Sequence, residues 1–260
     1  MTDQPVAIIS AGASGIGLSC ARALAAAGYR VLTLDIDVEA VAAFEAEFGE
    51  GAAVFCDVSH PAQVETAFAS LMESCDRIDV LLNNAGIAGP QQPVEEIEVE
   101  AWQSTINTDL NSLFYLTRLV IPLMKLQRSG VILNMSSSAG RYGCPLRSPY
   151  VASKWAAIGL AQTWAMELGP WNIRVNVLCP GSVGGERIER VIQRDAEERG
   201  VSAEDIRTVY QRQSSLRDFA SAEDIAAMVC FLSGPGGRMV SGQTIGIDGH
   251  TESLANWLDP

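Results

Sequence analysis

Three side chains in the middle of the chain have the types and spacing for proton transfer. Tyr150 and Lys154, in Tyr150-Val151-Ala152-Ser153-Lys154, are four residues apart, so on a helix they stand one turn above each other. A free tyrosine, with a pKa of about 10, is a poor proton-transfer group at neutral pH. An ammonium beside it favours the phenolate and brings the group toward the range a general base or acid needs. Ser137, in Ser137-Ser138-Ala139-Gly140, lies near enough to steady the oxygen that gains or loses that proton. A Tyr and a Lys at this spacing also occur on solvated helix surfaces. Chemistry therefore depends on whether the preceding elements bring a second reactant to them.

Val6-Ala7-Ile8-Ile9-Ser10 is a short, continuous apolar run, as expected of a strand buried on both faces. It leads into Ala11-Gly12-Ala13-Ser14-Gly15-Ile16-Gly17 and then an Ala-rich helix from Leu18 to Ala27, stopped by Gly28. Strand, Gly-rich turn and helix together bring backbone amides and a helix N-terminus up to a pyrophosphate. The candidate contacts are Ser10, Gly12, Ser14, Gly15, Ile16 and Gly17. A tight turn packing a helix onto a sheet would have a similar pattern. Arg30 to Asp35 is a second strand, and Asp35 lies roughly 20 residues past the glycines, where a carboxylate accepts hydrogen bonds from ribose hydroxyls. The same charge repels a 2′-phosphate and favours NAD over NADP. A third strand, Ala53 to Cys56, ends in Asp57-Val58, from where a side chain reaches the adenine edge. A fourth, Ile78 to Leu82, ends in Asn83-Asn84-Ala85-Gly86. This alternation predicts an α/β fold, a Rossmann-like doubly wound parallel sheet of about seven strands with helices on both faces.

The bulk properties agree. A chain of 260 residues with 48% hydrophobic and 19% charged content is an ordinary globular composition, expected to form a single domain over 1–260. A net charge of −13 argues against nucleic acid and against an anionic membrane surface as partners. The opening residues have no signal-peptide pattern, and no apolar run approaches a transmembrane length. The six cysteines are scattered, with no C-x-x-C and no His at ligand spacing, so they read as core thiols in a reducing, cytoplasmic compartment without a metal site.

The chain resembles the short-chain dehydrogenase/reductase family along essentially its whole length. The Gly-rich turn, Asp57, Asn83-Asn84-Ala85-Gly86, the serine, Tyr-x-x-x-Lys, Asn176 to Gly181 and Ser241 to Gly249 occur in the family's order and spacing. The resemblance implies hydride transfer between a nicotinamide ring and a substrate carbonyl or alcohol carbon. Tyr150 would be the acid/base, Lys154 would assist it and hold the ribose, and Ser137 would position the substrate oxygen. Ser136 and Ser138 compete for that role; the family serine precedes the Tyr by thirteen residues and is followed by two residues and a Gly, which favours Ser137. Asn84, Ala85, Gly86, Pro180, Gly181 and Val183 would contact the cofactor, Val183 through its backbone. Two positions depart from the pattern. Ser10-Ala11 replaces the usual Thr-Gly, and Ala11 tolerates positive φ less well. Asp109 falls where the family places an Asn holding a relay water, with Asn107 and Asn111 nearby but out of register.

Residues 182–220 interrupt the pattern at the carboxyl ends of the strands, where an insert is a candidate substrate lid. It carries Arg187 and six other arginines, seven of the chain's eighteen basic residues, and Arg141 and Arg147 border the same site. Arginine suits carboxylate or phosphate, while the accompanying acids, including an i,i+4 Glu186/Arg190 pair, fit solvated helices instead. Gly185 stands where relatives often have Thr, as expected of a roomier hinge. His60 and His250 match no family site position and read as structural. The tail, with Trp257 and Leu258, and family habit point to a homotetramer. Together these features predict an NAD-dependent dehydrogenase of a small polar, possibly anionic, hydroxyl compound such as a sugar, polyol or hydroxy acid. The alternatives are a ketoacyl-thioester reductase of the same family and an NAD(H)-binding sensor or scaffold without turnover.

Overall fold

The computed structural model describes residues 4–254, with Arg187 and Glu198 described by their backbone alone. Seven strands form one sheet: β1 Val6–Ser10, β2 Arg30–Asp35, β3 Ala53–Phe55, β4 Val80–Asn83, β5 Gly130–Met135, β6 Ile173–Pro180 and β7 Thr244–Ile247. All pairs are parallel, in the order β3-β2-β1-β4-β5-β6-β7. β1, β4 and β5 are buried at every residue, which is why they read as unbroken apolar runs instead of alternating ones. Helices α1 Gly15–Ala26, α2 Val38–Phe48, α3 Pro61–Met72, α4 Val99–Ile106, α5 Ser112–Gln127, α6 Ser148–Leu168 and α9 Ala222–Ser233 flank the sheet. α1 packs against α9 and α3 against α5.

The strand order reverses at β1 and β4, and the crevice beyond their carboxyl ends is where such sheets bind ligands. Here the two strand ends are stapled together. The Ser10 hydroxyl accepts hydrogen bonds from the backbone N–H groups of Asn84 and Ala85, both at 3.0 Å. The Asn84 amide in turn donates to the carbonyls of Ser10 at 3.2 Å and Ala11 at 2.9 Å. Ser10, expected among the cofactor contacts, is therefore a buried fastener, and it does not line the crevice.

The glycines of the turn divide the work. A Cβ on Gly12 would meet Thr33 Oγ1 at 2.4 Å, and one on Gly17 would meet the Ala11 carbonyl oxygen at 2.1 Å. Both therefore allow packing inside the protein. Gly15 has φ +52° and open space where a Cβ would stand. α1 begins at Gly15, not at Leu18: close packing requires glycine at 17, in the first turn, although glycines at 15 and 17 weaken the helix signal in the sequence.

The insert folds as α7 Glu186–Arg199 and α8 Ala203–Arg212, with a small apolar cluster of its own formed by Ile188, Ile192, Ala196 and Ile206. Isolated bridges Val183–Ala220 and Ser214–Thr251 tie its ends to the rest of the chain. Gly185, the residue before α7, has φ +126°, a region accessible essentially to glycine alone. His60 stands at the N-cap of α3, and His250, at φ +65°, places Nδ1 2.7 Å from the Ser215 hydroxyl. Trp257 and Leu258 lie outside the described residues. All six cysteines are free. Burial pushes the Cys20 thiol up to about 12 and the Cys56 thiol up to about 11.

Ala11 occupies the left-handed region at φ +51°, a conformation that costs a non-glycine residue of order 1 kcal/mol or more. Ala11→Gly is expected to raise stability by about 1 kcal/mol, read as a higher urea midpoint at unchanged slope.

Candidate active site

The site is built where the start of α6 meets the end of β5. A Cβ on Gly140 would stand 2.3 Å from Ser136 Oγ and 2.7 Å from the Lys154 carbonyl oxygen, so no other residue lets the two backbones approach this closely. The Ser136 hydroxyl donates to that carbonyl at 2.7 Å. Ser136 is therefore a structural anchor. Ser138 is buried, whereas Ser137 is only partly buried and caps a short 3-10 turn by accepting from Ala139 N–H at 3.2 Å. The Ser137 O–H remains free to donate toward the cavity that it lines.

Tyr150 and Lys154 line the same cavity from the first turns of α6, while Ala157, Ala161, Trp164 and Leu168 continue the helix's buried face. The Lys154 ammonium is 5.4 Å from the centre of the Tyr150 ring. It donates to the Met135 carbonyl at 3.3 Å and stands 3.3 Å from Asp109 Oδ2. Both charged groups are almost completely buried, with side-chain exposures of 4% and 0%. Asp109 Oδ1 accepts from the Ile87 N–H at 2.7 Å, and Oδ2 has the ion pair but no hydrogen bond. Asn107 and Asn111 hydrogen-bond to each other instead. The turn carrying these residues, Asn107–Asn111, is π-helical and lies between α4 and α5. This local widening, a feature often found at functional sites, carries Asp109 to face Lys154. Gly86 completes the crowding, since a Cβ there would be 3.1 Å from Lys154 Nζ.

The cavity has a volume of about 650 Å³ and runs from the N-terminus of α1 past Lys154 to the insert. Ala11, Ser14, Gly15 and Ile16 form one end, with Asn84 and Gly86 beside them and Pro180, Gly181 and Val183 further along. The first turn of α1 contains no acidic residue, and its free N–H groups suit a phosphate. The Ser182 carbonyl and the Gly184 N–H both pair with Ala220, which turns the Val183 N–H and C=O to the other side of its extended segment. These features fit an elongated dinucleotide. Asp35 is buried at the end of β2, accepting from Ala13 N–H at 3.0 Å and Asp37 N–H at 3.2 Å. Each of its oxygens retains accepting capacity.

Several expected residues stand elsewhere. Gly12, Gly17, Ala85 and Val58 are buried in the scaffold and do not line the cavity. Asp57 also lies outside the lining; its carboxylate accepts from the Ser59 N–H at 2.9 Å and the Ser59 hydroxyl at 2.7 Å and approaches His60. Partial burial pushes the Asp57 carboxyl up, but the Ser59 hydrogen bonds and His60 outweigh it and leave it below the usual range. Arg141 is 3.4 Å from Asp248 and lies outside the cavity, so its charge is already matched. In the insert, Arg207 pairs with Glu189 and Glu204, Arg190 with Glu186, and Arg217 with Glu252, as solvated helices require. The Arg187 side chain is outside the description. Arg147 differs. It lines the cavity and stacks over the Tyr150 ring at 5.1 Å. Sequence reasoning missed Gln91, Cys144, Tyr210 and Gln213, which also line it. None of them lies in a motif, and only the packing of the insert brings Tyr210 there, with its hydroxyl 2.8 Å from buried Asp195.

A family model described as enoyl-(acyl carrier protein) reductase matches residues 10–250. The chain belongs to the short-chain dehydrogenase/reductase family. It is 36% identical to a 3-oxoacyl-[acyl-carrier-protein] reductase of Thermotoga maritima, over 94% of this chain and 96% of the relative. Among solved structures, NAD⁺-bound xylitol dehydrogenase superposes with a TM-score of 0.86 at 29% identity, covering 94% of this chain and 97% of that one. An actinorhodin polyketide ketoreductase with NADPH gives 0.89 at 30% identity, covering 98% of each. The chain is thus an oxidoreductase of a family that works with a nicotinamide cofactor. Among the described residues no helix is long and apolar enough to cross a membrane, and no group of three or more metal-ligating side chains is present.

Breaking a buried ion pair from one side leaves an uncompensated charge and costs roughly 3–5 kcal/mol. Asp109→Leu and Lys154→Met are each expected to destabilise by about that much. The double variant should lose less than the sum, giving a coupling energy above about 1 kcal/mol in a urea-unfolding cycle.

Proposed function

We propose that this protein is an NAD-dependent dehydrogenase acting on a secondary hydroxyl of a small polar compound. The observation that carries the reading is the convergence of Ser137, Tyr150 and Lys154 on one cavity whose far end is the N-terminus of α1. When bound, the nicotinamide supplies the hydride-accepting carbon. Ser14, Gly15 and Ile16 would hold the pyrophosphate, Asp35 the adenosine ribose, and Val183 the carboxamide. The Asp35 carboxylate, buried and without a cation among its hydrogen-bond partners, would reject a 2′-phosphate, which favours NAD over NADP. Asp57 and Val58 would contribute by shaping the turn near the adenine.

The chain's own residues account for the proton. The Ser137 hydroxyl donates to the substrate oxygen and fixes it beside the Tyr150 hydroxyl. Tyr150 accepts the proton as alcohol becomes ketone, and returns it in the reverse direction. Lys154 supplies positive charge beside the Tyr150 ring, but here it shares that charge with Asp109 at 3.3 Å. Asp109 accepts hydrogen bonds only, so a relay water held there would have to donate to it. The insert 182–220, with Gly185 at its start, would close over the substrate. The reading also takes the enzyme as a cytoplasmic homotetramer, with exposed Phe114, Trp155 and Met166 on α5 and α6 available to another copy. A ketoacyl-thioester reductase is the second reading, and the Thermotoga maritima relative favours it.

NADH formation with a panel of sugars, polyols, hydroxy acids and secondary alcohols tests this directly. Turnover should appear with NAD⁺ in preference to NADP⁺, and Tyr150→Phe should lower it on the order of 10²- to 10⁴-fold. Saturable NADH binding with no turnover on any alcohol would leave the sensor reading instead. Asp109→Asn removes the carboxylate charge beside Lys154 and leaves the ammonium acting on Tyr150 alone. The pH–rate curve for alcohol oxidation should then move to lower pH. Unchanged pH dependence and turnover would show that Asp109 has no part in proton transfer.

A further inference from the structure

Among the described residues, four charged side chains line the cavity: Arg147, Lys154, Glu186 and Arg190. Lys154 is neutralised by Asp109, and Glu186 and Arg190 form a pair with each other at 3.7 Å, with side chains 93% and 74% exposed. Arg147 alone among these cations has no carboxylate partner. Its Nε is buried and makes no hydrogen bond, although a charged donor in that state carries a substantial desolvation penalty. Stacking over Tyr150, with the guanidinium carbon 5.1 Å from the ring centre, holds the side chain without occupying its donors. The backbone at this position is fixed too, because the Arg147 carbonyl accepts from Val151 N–H at 2.9 Å in the first turn of α6. The guanidinium is thus pre-positioned over the Tyr150 ring, with its buried Nε unsatisfied.

We infer that Arg147 recognises a carboxylate on the substrate, so that the physiological compound is a short hydroxy acid and its keto acid. The inference rests on the dehydrogenase reading and narrows it. A guanidinium fork matches a carboxylate in two parallel hydrogen bonds, and no carboxylate of the described residues pairs with this one. Placement against the Tyr150 ring limits the spacing. The carboxylate and the carbinol carbon would be joined directly or through about one intervening carbon, at ~1.5 Å per bond. A neutral polyol leaves Arg147 unmatched. A ketoacyl thioester carries no charge at that distance, so Arg147 argues against the second reading as well.

The test compares kcat/KM, with saturating NAD⁺, for lactate and 3-hydroxybutyrate against their methyl esters. It uses the wild-type chain, Arg147→Gln and Arg147→Lys. At least one acid should exceed its ester by roughly 10- to 100-fold, the range of a charge-assisted hydrogen bond. Arg147→Gln should collapse that ratio toward one, with Arg147→Lys in between because it keeps the charge and loses the fork. A parallel binding arm measures the thermal shift produced by acetoacetate and by methyl acetoacetate on the NADH-saturated protein. Equal acid and ester values in both arms, or an acid preference that Arg147→Gln leaves intact, would overturn the inference while leaving a dehydrogenase of neutral alcohols standing. Acid-selective, Arg147-dependent binding without turnover on any alcohol would retain the carboxylate site and remove the dehydrogenase reading.

Discussion

The contact between the Lys154 carbonyl and the Ser136 hydroxyl, possible only because Gly140 has no side chain, fixes the geometry on which the rest of the site depends. It presses the start of α6 onto the end of β5 and so carries the Lys154 ammonium into a place almost without solvent. A cation there needs a counter-charge, and the π-helical turn between α4 and α5 provides Asp109. Tyr150, one turn earlier on α6, is placed by the same contact, and Arg147 lies a further three residues back against the Tyr150 ring. Four positions of the candidate site are therefore set by one close approach of two backbones, which is a rigid way to hold a site.

The Asp in place of an amide changes the electrostatics more than the shape. Asparagine would leave Lys154 as a net positive charge in the cavity, whereas Asp109 makes the buried pair neutral. Among the described residues, the remaining positive field inside the cavity then comes from Arg147, because Arg190 is exposed and matched by Glu186. The centre of attraction for an anion is thereby displaced from Lys154 to Arg147.

Much of this was legible in the sequence, for specific physical reasons. Parallel strands buried on both faces are continuous apolar runs, so β1 and β4 could be placed from the sequence. The Ser137, Tyr150 and Lys154 grouping followed from spacing and from family resemblance. What pattern cannot convey is which neighbour a group meets. Ser10 looked like a ligand contact because it borders the turn, yet Asn84, distant in sequence, takes its hydroxyl inward. Arg141 and Arg147 were equivalent on paper. Asp248, 107 residues away, neutralises the first, and among the described residues no carboxylate pairs with the second. The three turn glycines likewise look alike in sequence, and only packing shows that Gly15 alone faces the cavity.

The apolar cluster of α7 and α8 is separate from the main core. Substitutions inside one cluster share few neighbours with the other, so their energetic effects should sum instead of interfering. The wall contributed by Tyr210 and Gln213 can thus be rebuilt by mutation at little cost to the helix that carries Lys154 and Tyr150. The insert thus has the character of an exchangeable part, whose wall can be altered while the positions of Lys154 and Tyr150 stay as they are.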